Sequence, residues 1–269
     1  MKGFKVKGKK GKTLTELIAS YAGSKKRAKR LVDEGLVSVN YRKVILARRA
    51  LRGGETVIFP MPEELFERPK VELLKREGRV WLFNKPPFIT SNEGKGSLEE
   101  IIKREFNPAL RVVHRLDKQT SGVIIAVEGR ELFEKFKELF KRREVEKEYI
   151  ALVKGELRGK RDVRAPLEGK TAITKAEPVE VLKGATLVRA RIETGRKHQI
   201  RRHLAQIGHP VVGEFKYYRG SWREELLYAP RILLHSKKIA FESPETGKRV
   251  EVETELPEDF KEFLKSLKR

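Results

Sequence analysis

Apolar residues recur along the chain with two different periods, and each period predicts one type of secondary structure. A spacing of three and four residues places side chains on one face of a helix, whereas alternating or unbroken apolar runs are typical of strands. The helical faces are Leu14/Leu17/Ile18/Tyr21, Ala28/Leu31/Val32, Leu132/Phe133/Phe136/Leu139/Phe140 and Phe260/Phe263/Leu264/Leu267. Strands are predicted near residues 36–39, 56–59, 80–83, 123–127 and 149–153. Residues 172–192 are predicted to form a hairpin that turns at Lys183-Gly184. The pattern therefore predicts an α+β protein.

Capping residues mark where the first two helices begin and end. Thr13 and Glu16 form a T-x-x-E capping box at the start of the first helix. Ser24 precedes the second helix, and Gly35 follows its last apolar position, where a glycine commonly ends a helix. These residues predict two short helices close to the N-terminus.

Prolines separate a small N-terminal part of the chain from a larger part. Pro60, Pro62 and Pro69 bracket the acidic segment PMPEELFERP, which predicts a semi-rigid linker. The sequence thus predicts four parts, namely a basic tail at 1–12, a small domain at 13–59, the linker at 60–69 and a large domain at 70–269.

Positive charge is the strongest signal in the composition. The chain has 61 Lys and Arg against 38 Asp and Glu, for a net charge of +23, and residues 1–60 carry +12 of it. A polyanionic partner such as RNA is favoured, because cations that neutralise phosphates release condensed counterions. A thermophile-like composition, with 37% charged residues, is the alternative, but it would add acids along with bases.

Other features of the composition narrow the class of protein. No apolar run is long enough to span a bilayer, and the basic start MKGFKVKGKKGK is not followed by the apolar stretch of a signal peptide. The chain has no cysteine, which excludes disulfides and thiolate metal sites and fits a reducing cytoplasm. We therefore expect a cytoplasmic protein without membrane attachment, and a monomer by default.

The most distinctive stretch is HRLDKQTSG, at residues 114–122. It surrounds one carboxylate, Asp117, with His114, Arg115 and Lys118, and an apolar strand follows. A polar loop that leads into a buried strand holds an acid at the edge of a sheet, where catalytic groups are often mounted. A surface turn with a local ion pair is the simpler alternative, and it would be favoured if only R-x-D were present.

This stretch resembles the H-R-L-D-x-x-T-S-G motif of the RluA family of RNA pseudouridine synthases, and every fixed position is present. The resemblance implies that Asp117 is the catalytic nucleophile and that Arg115 fills the stack vacated by an extruded base. It also implies that His114 contacts RNA. Structural support of the site is expected from Thr120, Ser121 and Gly122.

Further segments resemble motifs of the same family, in the family's order, over about residues 79–260. Lys85-Pro86-Pro87 resembles K-P-P/A-G, with Phe88 in place of the usual Gly, and a structural role is expected for Lys85 and Pro86. The strand KEYIALVKG resembles K-x-Y-x-A-x-V-x-G, in which Tyr149 would pack against the target base. The resemblance also implies a mixed, mainly antiparallel catalytic sheet flanked by helices.

The third motif, G-R-x-H-Q-I-R-x-H-L-x-x-x-G-H-P, is matched almost position for position within residues 193–210. The resemblance implies that Arg201 pairs with Asp117 and that Ile200 supports the site. Gly213-Glu214 stands where the family usually has Gly-Asp.

Residues 13–59 resemble the small RNA-binding domain first named from ribosomal small-subunit protein four. Two short helices are followed by G-x-V-x-V-N and a hairpin. Residues 24–30 of the second helix include five bases and no acid, which favours contacts to phosphates over a merely solvated face. These bases are Lys25, Lys26, Arg27, Lys29 and Arg30. Deleting residues 1–59 is therefore expected to weaken RNA affinity more than it alters the chemistry.

Isomerisation of uridine needs no cofactor and no metal, so neither is expected. It needs an ionised carboxylate, and an arginine partner keeps a carboxylate charged when a bound base excludes water. A metal site is not expected at His198 and His203, because they are five positions apart and lie on different helix faces. The base that removes the last proton is open, with Tyr149 as one candidate.

Two alternatives from other classes remain at this stage. One is a non-catalytic RNA-binding or ribosome-assembly factor on the same fold, which would be expected to lack Asp117 or Arg201. The other is a base glycosylase, which would also extrude a base but would release it. Among substrates, ribosomal RNA is favoured and transfer RNA is the alternative.

Overall fold

The structure, a computed structural model, describes residues 2–268. Residues 2–66, here called the N-terminal module, form a four-stranded antiparallel sheet, in the spatial order β1-β4-β2-β3, and two helices. Their apolar faces pack together into one core. The elements are β1 (Lys2–Lys7), α1 (Leu14–Ala22), α2 (Lys25–Asp33), β2 (Ser38–Val39), β3 (Arg42–Lys43) and β4 (Thr56–Met61).

The predicted caps of both helices are confirmed. Thr13 Oγ1 accepts from the backbone N–H of Glu16, whose side chain accepts from the backbone N–H of Thr13. Ser24 caps α2, and Gly35 adopts a left-handed conformation, with φ of 68°, directly after the helix. Each cap depends on hydrogen bonds between residues only a few positions apart, so the caps could be predicted from the sequence alone.

The predicted basic tail is wrong for residues 2–7, which form β1 and pair with β4 from Lys2–Met61 to Lys7–Thr56. Phe4 and Val6 are half-buried against the module's core, whereas Lys5 and Lys7 are exposed. The alternation of a strand is therefore present, but frequent lysines concealed it.

The predicted linker also proves shorter than expected. β4 extends to Met61, and a 3-10 turn at Glu63–Leu65 buries Leu65 in the core of the N-terminal module. Pro60 lies opposite Gly3 of β1, but β4 pairs with β2 only at Val57 and Ile58, so the other edge of the strand makes no ladder bond at the proline.

The rest of the chain folds around a 10-stranded mixed sheet with the main order β10-β11-β12-β9-β13-β8-β6-β5, to which β14 adds on β13 and β7 on β8. The expected mixed, mainly antiparallel sheet is thereby confirmed. The strands are β5 (Glu72–Glu77), β6 (Val80–Lys85), β7 (Leu110–Val112), β8 (Ser121–Glu128), β9 (Glu146–Lys154), β10 (Arg161–Val163), β11 (Thr174–Leu182), β12 (Ala185–Ile192), β13 (Leu234–Glu242) and β14 (Arg249–Glu253).

Helices cover both faces of this sheet. They are α3 (Leu98–Glu105), α4 (Arg130–Arg142), α5 (Gln199–Gln206), α6 (Glu224–Leu227) and α7 (Glu258–Leu267). Because side chains alternate along a strand, Phe83 packs with α3 and α5, whereas its neighbour Leu82 packs with α4. Leu132 and Phe136 of α4 are buried in the core, as predicted, whereas Phe133, Leu139 and Phe140 are only partly buried against it. Within residues 2–268, no helix has the length and apolarity that a membrane span requires.

The middle of the large sheet contains a parallel junction. β13 runs parallel to β8, with His235 opposite Ser121 and Ser236 opposite Gly122. Every other strand pair among the described residues is antiparallel. The loop that precedes β8 thus ends at the centre of the sheet, where strands on both sides hold it in place.

Candidate active site

Asp117 lies on this loop, between β7 and β8. The backbone carbonyl of Asp117 accepts from the N–H of Thr120 at 3.0 Å, which closes a turn directly before β8. The side chain of Asp117 is 20% exposed and accepts a hydrogen bond from Arg201 Nη1 to Oδ2 at 3.0 Å. The contact that the sequence resemblance implied is therefore present, although the two residues are distant in the chain.

Arg201 is itself held by a second carboxylate, on Glu214. Its Nε and Nη2 donate to the two oxygens of Glu214 at 2.7 and 3.1 Å, and Glu214 is fully buried. Burial alone would lower the pKa of Arg201, but the hydrogen bonds and charges of Glu214 and Asp117 raise it. The guanidinium is thus a permanent cation with a fixed orientation. Sequence reasoning noted Glu214 only as a replacement for Asp.

The backbone N–H groups of Lys216 and Tyr217 complete the surroundings of Glu214, since they donate to its Oε1 at 2.6 and 3.1 Å. Burial would raise the pKa of Glu214, yet these bonds and the bonds from Arg201 lower it below its usual range. A buried carboxylate with this many donors remains ionised.

Lys85 fixes the loop from the other side. Its side chain is fully buried, and Nζ donates to the carbonyls of Pro86 and Ile89 at 2.9 Å each and of Lys118 at 3.3 Å. Burial lowers the pKa of Lys85 to about 7, but three carbonyl acceptors match the three donors of an ammonium group. The expected structural role of this motif is consistent with these contacts.

Gly122 is required by a close approach of two strands. Its φ is 112°, and a Cβ at this position would lie 2.2 Å from the carbonyl oxygen of Ser236. Only glycine permits both the backbone conformation and the distance. The parallel junction that anchors the loop therefore depends on this residue.

A buried ion pair that sequence reasoning missed supports the same loop. Arg231 is fully buried and donates to Asp259 of α7 at 2.6 and 3.1 Å. It also donates to the carbonyl of Gln119 at 3.0 Å and to Ser121 Oγ at 3.2 Å. Ser121 Oγ in turn lies 2.9 Å from His235 Nδ1. The only sign of this ion pair in the sequence is that Arg231 stands directly before the apolar run Ile232-Leu233-Leu234.

A cavity of about 390 Å³ opens beside Asp117, which is within the usual size of a small-molecule site. Ile200 and Phe140 form apolar parts of its wall, and Tyr149 faces it from β9. Tyr149 is buried and pairs across the sheet with Ala190 and Ser236. Burial, followed by the charge of Asp117, raises the pKa of Tyr149, so its phenol stays protonated near neutral pH.

His198 forms part of the same wall in a strained conformation. Its φ is 55°, which is rare for a residue with a side chain, and its Nδ1 lies 2.7 Å from the hydroxyl of Tyr217. Nε2 lies 3.7 Å from Asp117 Oδ1, whereas Arg201 contacts the other carboxylate oxygen, Oδ2. Burial lowers the pKa of His198, while the charge of Asp117 opposes this shift. His203, by contrast, turns away and contacts Thr174 and Ala165.

The predicted RNA-binding residues of the central motif differ in their surroundings. Arg115 is exposed and lies 3.3 Å from the exposed Glu93. The Nε2 atom of His114 accepts from the backbone N–H of Ile125 at 3.0 Å, and burial lowers the pKa of His114 to about 3. His114 is therefore neutral and does not offer a cation to a phosphate.

The five bases of α2 are all exposed, but they are not equivalent. Lys25 Nζ lies 3.4 Å from Glu16 Oε1, and Lys29 Nζ lies 2.5 Å from Asp33 Oδ2. The guanidinium of Arg27 stacks over the ring of Phe66, 4.2 Å from its centroid. Lys26 and Arg30 form no ion pair with any residue that the structure describes, so they are the most available to a polyanion.

Comparisons with known proteins identify the family of this chain. A family model described as RNA pseudouridylate synthase matches residues 79–206. An uncharacterized RNA pseudouridine synthase of Helicobacter pylori is 37% identical over 232 residues, covering 81% of this chain and 88% of that protein. Ribosomal large subunit pseudouridine synthase C of Pasteurella multocida is 31% identical, covering 73% and 68%.

A solved structure is similar in fold. Human RNA Pseudouridylate Synthase Domain Containing 4 superimposes with a TM-score of 0.62 at 22% identity, covering 73% of this chain and 92% of that one. Fold and relatives together define an RNA-modifying isomerase. The chain belongs to the RluA family of RNA pseudouridine synthases.

Proposed function

We propose that this enzyme isomerises specific uridines of a structured RNA with Asp117 as the nucleophile. The observation that carries the proposal is the hydrogen bond of 3.0 Å from the buried Arg201 to Asp117, at the wall of a cavity of about 390 Å³. A partly exposed carboxylate with a fixed cationic partner can approach a bound ring without losing its charge.

The reaction breaks the bond between N1 of the base and the ribose and forms a bond from the ribose to C5. C5 loses a proton and N1 gains one, so the mass of the RNA does not change. Asp117 would form a transient covalent bond, either to the anomeric carbon of the ribose as the bond to N1 breaks or to the base itself, and this bond would break again as the anomeric carbon bonds to C5. The cavity would hold the base during this rotation and keep it from being released.

The uridine must leave its helix to reach Asp117, because a stacked base is not accessible. The exposed Arg115 lies next to Asp117 and would fill the vacated stack. Tyr149 would pack against the extruded ring from the cavity wall. Burial raises the pKa of Tyr149, which favours this packing role over a role as general base.

Large-subunit ribosomal RNA is the favoured substrate. Relatives from Pasteurella multocida and Haemophilus influenzae are named ribosomal large subunit pseudouridine synthases. The net charge of +23, much of it in the N-terminal module, supports binding to a large folded RNA. Transfer RNA is the alternative substrate.

The test is to map pseudouridine at single-nucleotide resolution in total RNA from cells with and without this protein. We expect one or a few sites to vanish from large-subunit ribosomal RNA and to return when the purified enzyme is added. Loss of sites from transfer RNA instead would show that transfer RNA is the substrate. Release of free uracil would instead support a glycosylase, and RNA binding without any pseudouridine would support a non-catalytic factor.

A further inference from the structure

We infer that the N-terminal module is a positioning element of the active site and that Glu34 is its key residue. The inference rests on the proposed function, in which Asp117 is the nucleophile. It departs from the expectation that the N-terminal domain contributes mainly RNA affinity. Its basis is a set of contacts between the module and the residues that flank both Asp117 and Glu214.

The first contact is made by the side chain of Glu34, which is almost completely buried at the end of α2. Its carboxylate pairs with Lys118 and accepts from Gln119 Nε2 at 3.0 Å, and its backbone carbonyl accepts from the same nitrogen at 2.8 Å. Lys118 and Gln119 are the two residues that follow Asp117 in the catalytic loop. The module thus holds this loop directly.

Gln119 connects Glu34 to the centre of the large domain. Its Oε1 accepts from the backbone N–H of Ile232 at 2.8 Å, and its carbonyl accepts from the buried Arg231 at 3.0 Å. All donors and acceptors of this buried side chain point to fixed partners. Glu34→Ala would leave Lys118 without its ion-pair partner and the buried amide of Gln119 with only one of its two acceptors, the backbone carbonyl of residue 34, so the loop would have to move to satisfy both groups.

The second contact involves Gly35, next to Glu34. A Cβ on Gly35 would lie 2.3 Å from the ring of Phe215, so the two residues are in close van der Waals contact. Phe215 follows Glu214, the buried partner of Arg201. The same two residues of the module, Glu34 and Gly35, therefore touch both segments that carry the carboxylates of the site.

The third contact is apolar and involves Phe88. Its φ is 68°, which is strained for a residue with a side chain, and its ring is buried in the core of the N-terminal module. Burial of the phenylalanine ring offsets the strain. The segment that carries Phe88 is tied to the catalytic loop, because Lys85 donates to the carbonyls of both Ile89 and Lys118.

The experiment compares Glu34→Gln, Glu34→Ala and Lys118→Gln with the full-length parent, using unmodified transcripts of large-subunit ribosomal RNA and of transfer RNA. Single-turnover pseudouridine formation is measured at saturating RNA, and RNA affinity is measured separately. We expect the rate to fall at least ~10-fold in both Glu34 variants with little change in Kd, because small displacements of a nucleophile are costly. The double variant Glu34→Lys with Lys118→Glu should recover part of the rate.

Asp33→Asn is the matched control. Asp33 is the adjacent acid, it is exposed, and its ion pair is with Lys29 of its own helix. Its loss should leave the rate at saturating RNA unchanged. Phe88→Gly provides an independent test, because glycine removes both the strain and the anchor; we expect it to lower the rate as the Glu34 variants do.

Hydrogen–deuterium exchange of residues 114–122 gives a second measurement that needs no substrate. Exchange should be faster in Glu34→Ala than in the parent and in Asp33→Asn. Unchanged rates at saturating RNA in the Glu34 variants would overturn the inference, whether or not exchange changed. If the parent made no pseudouridine on any RNA, the proposed function would fail, and unchanged exchange would then overturn the inference as well.

Discussion

Arg201 and Glu214 form two parallel hydrogen bonds, of 2.7 and 3.1 Å, inside the protein, and this pair leaves one nitrogen of the guanidinium directed at Asp117. A bidentate pair fixes the plane of an arginine as well as its position. Glu214, which does not line the cavity, therefore sets the direction from which Arg201 contacts Asp117.

Glu214→Gln should lower the rate of pseudouridine formation about 10-fold or more and destabilise the fold by about 3 kcal/mol, because Arg201 would lose a buried charged partner. Single-turnover kinetics and urea unfolding measure the two effects. The control is Glu168→Gln, which removes the carboxylate partner of the adjacent Arg202 at an exposed position and should change stability by less than about 1 kcal/mol. Equal effects of both substitutions would contradict the role given to Glu214.

Asp117→Asn should fold and bind RNA like the parent but lower pseudouridine formation by at least ~10³-fold, since an amide of the same shape cannot act as the nucleophile. Nucleoside analysis of the digested RNA by mass spectrometry measures the product. The side chain would still accept a hydrogen bond from Arg201, so a loss of folding is not expected. Turnover near that of the parent would remove Asp117 from this role.

Gly122→Ala should destabilise the protein by about 3 kcal/mol, because the new methyl group would meet the carbonyl of Ser236 at 2.2 Å in a left-handed backbone conformation. Gly169→Ala is the matched control, since Gly169 also has a positive φ but no atom lies within 4 Å of its would-be Cβ. It should lose only about 1 kcal/mol. Urea unfolding of both variants would separate steric contact from backbone strain, and similar losses would argue against the contact.

Stability should decrease as the pH falls below about 6.5, the usual pKa of a histidine. Burial lowers the pKa of His114 and of His235 to about 3, so between these values the unfolded chain binds protons that the folded chain does not. Each histidine then removes about 1.4 kcal/mol per pH unit, and the loss ends near pH 3.

Urea unfolding between pH 7.5 and 5 would measure this slope, since most carboxylates titrate at lower pH. His235→Gln should make the slope shallower by removing one of the contributing histidines. Parallel curves for the parent and the variant would show that His235 is not the origin of the effect.

The sequence by itself predicted many of the helices and strands and singled out the residues of the central motif, 114–122. Caps at Thr13 and Ser24, the alternation around Tyr149 and the HRLDKQTSG motif depend on neighbouring residues, so they can be read along the chain. The resemblance of the third motif to the family also implied the pairing of Arg201 with Asp117, which the structure contains. Where apolar periodicity was diluted by lysines, as in β1, the same approach failed.

Tertiary structure alone decided how the site is supported. The supporting residues are far from Asp117 in the chain; they are Glu214, Glu34 and the ion pair of Arg231 and Asp259. The sequence around a single charged residue does not indicate which residue it will pair with. Their roles arise because burial removes water and leaves each charge or amide dependent on one specific neighbour. Such dependence is a property of the packed molecule, and no local pattern of residues contains it.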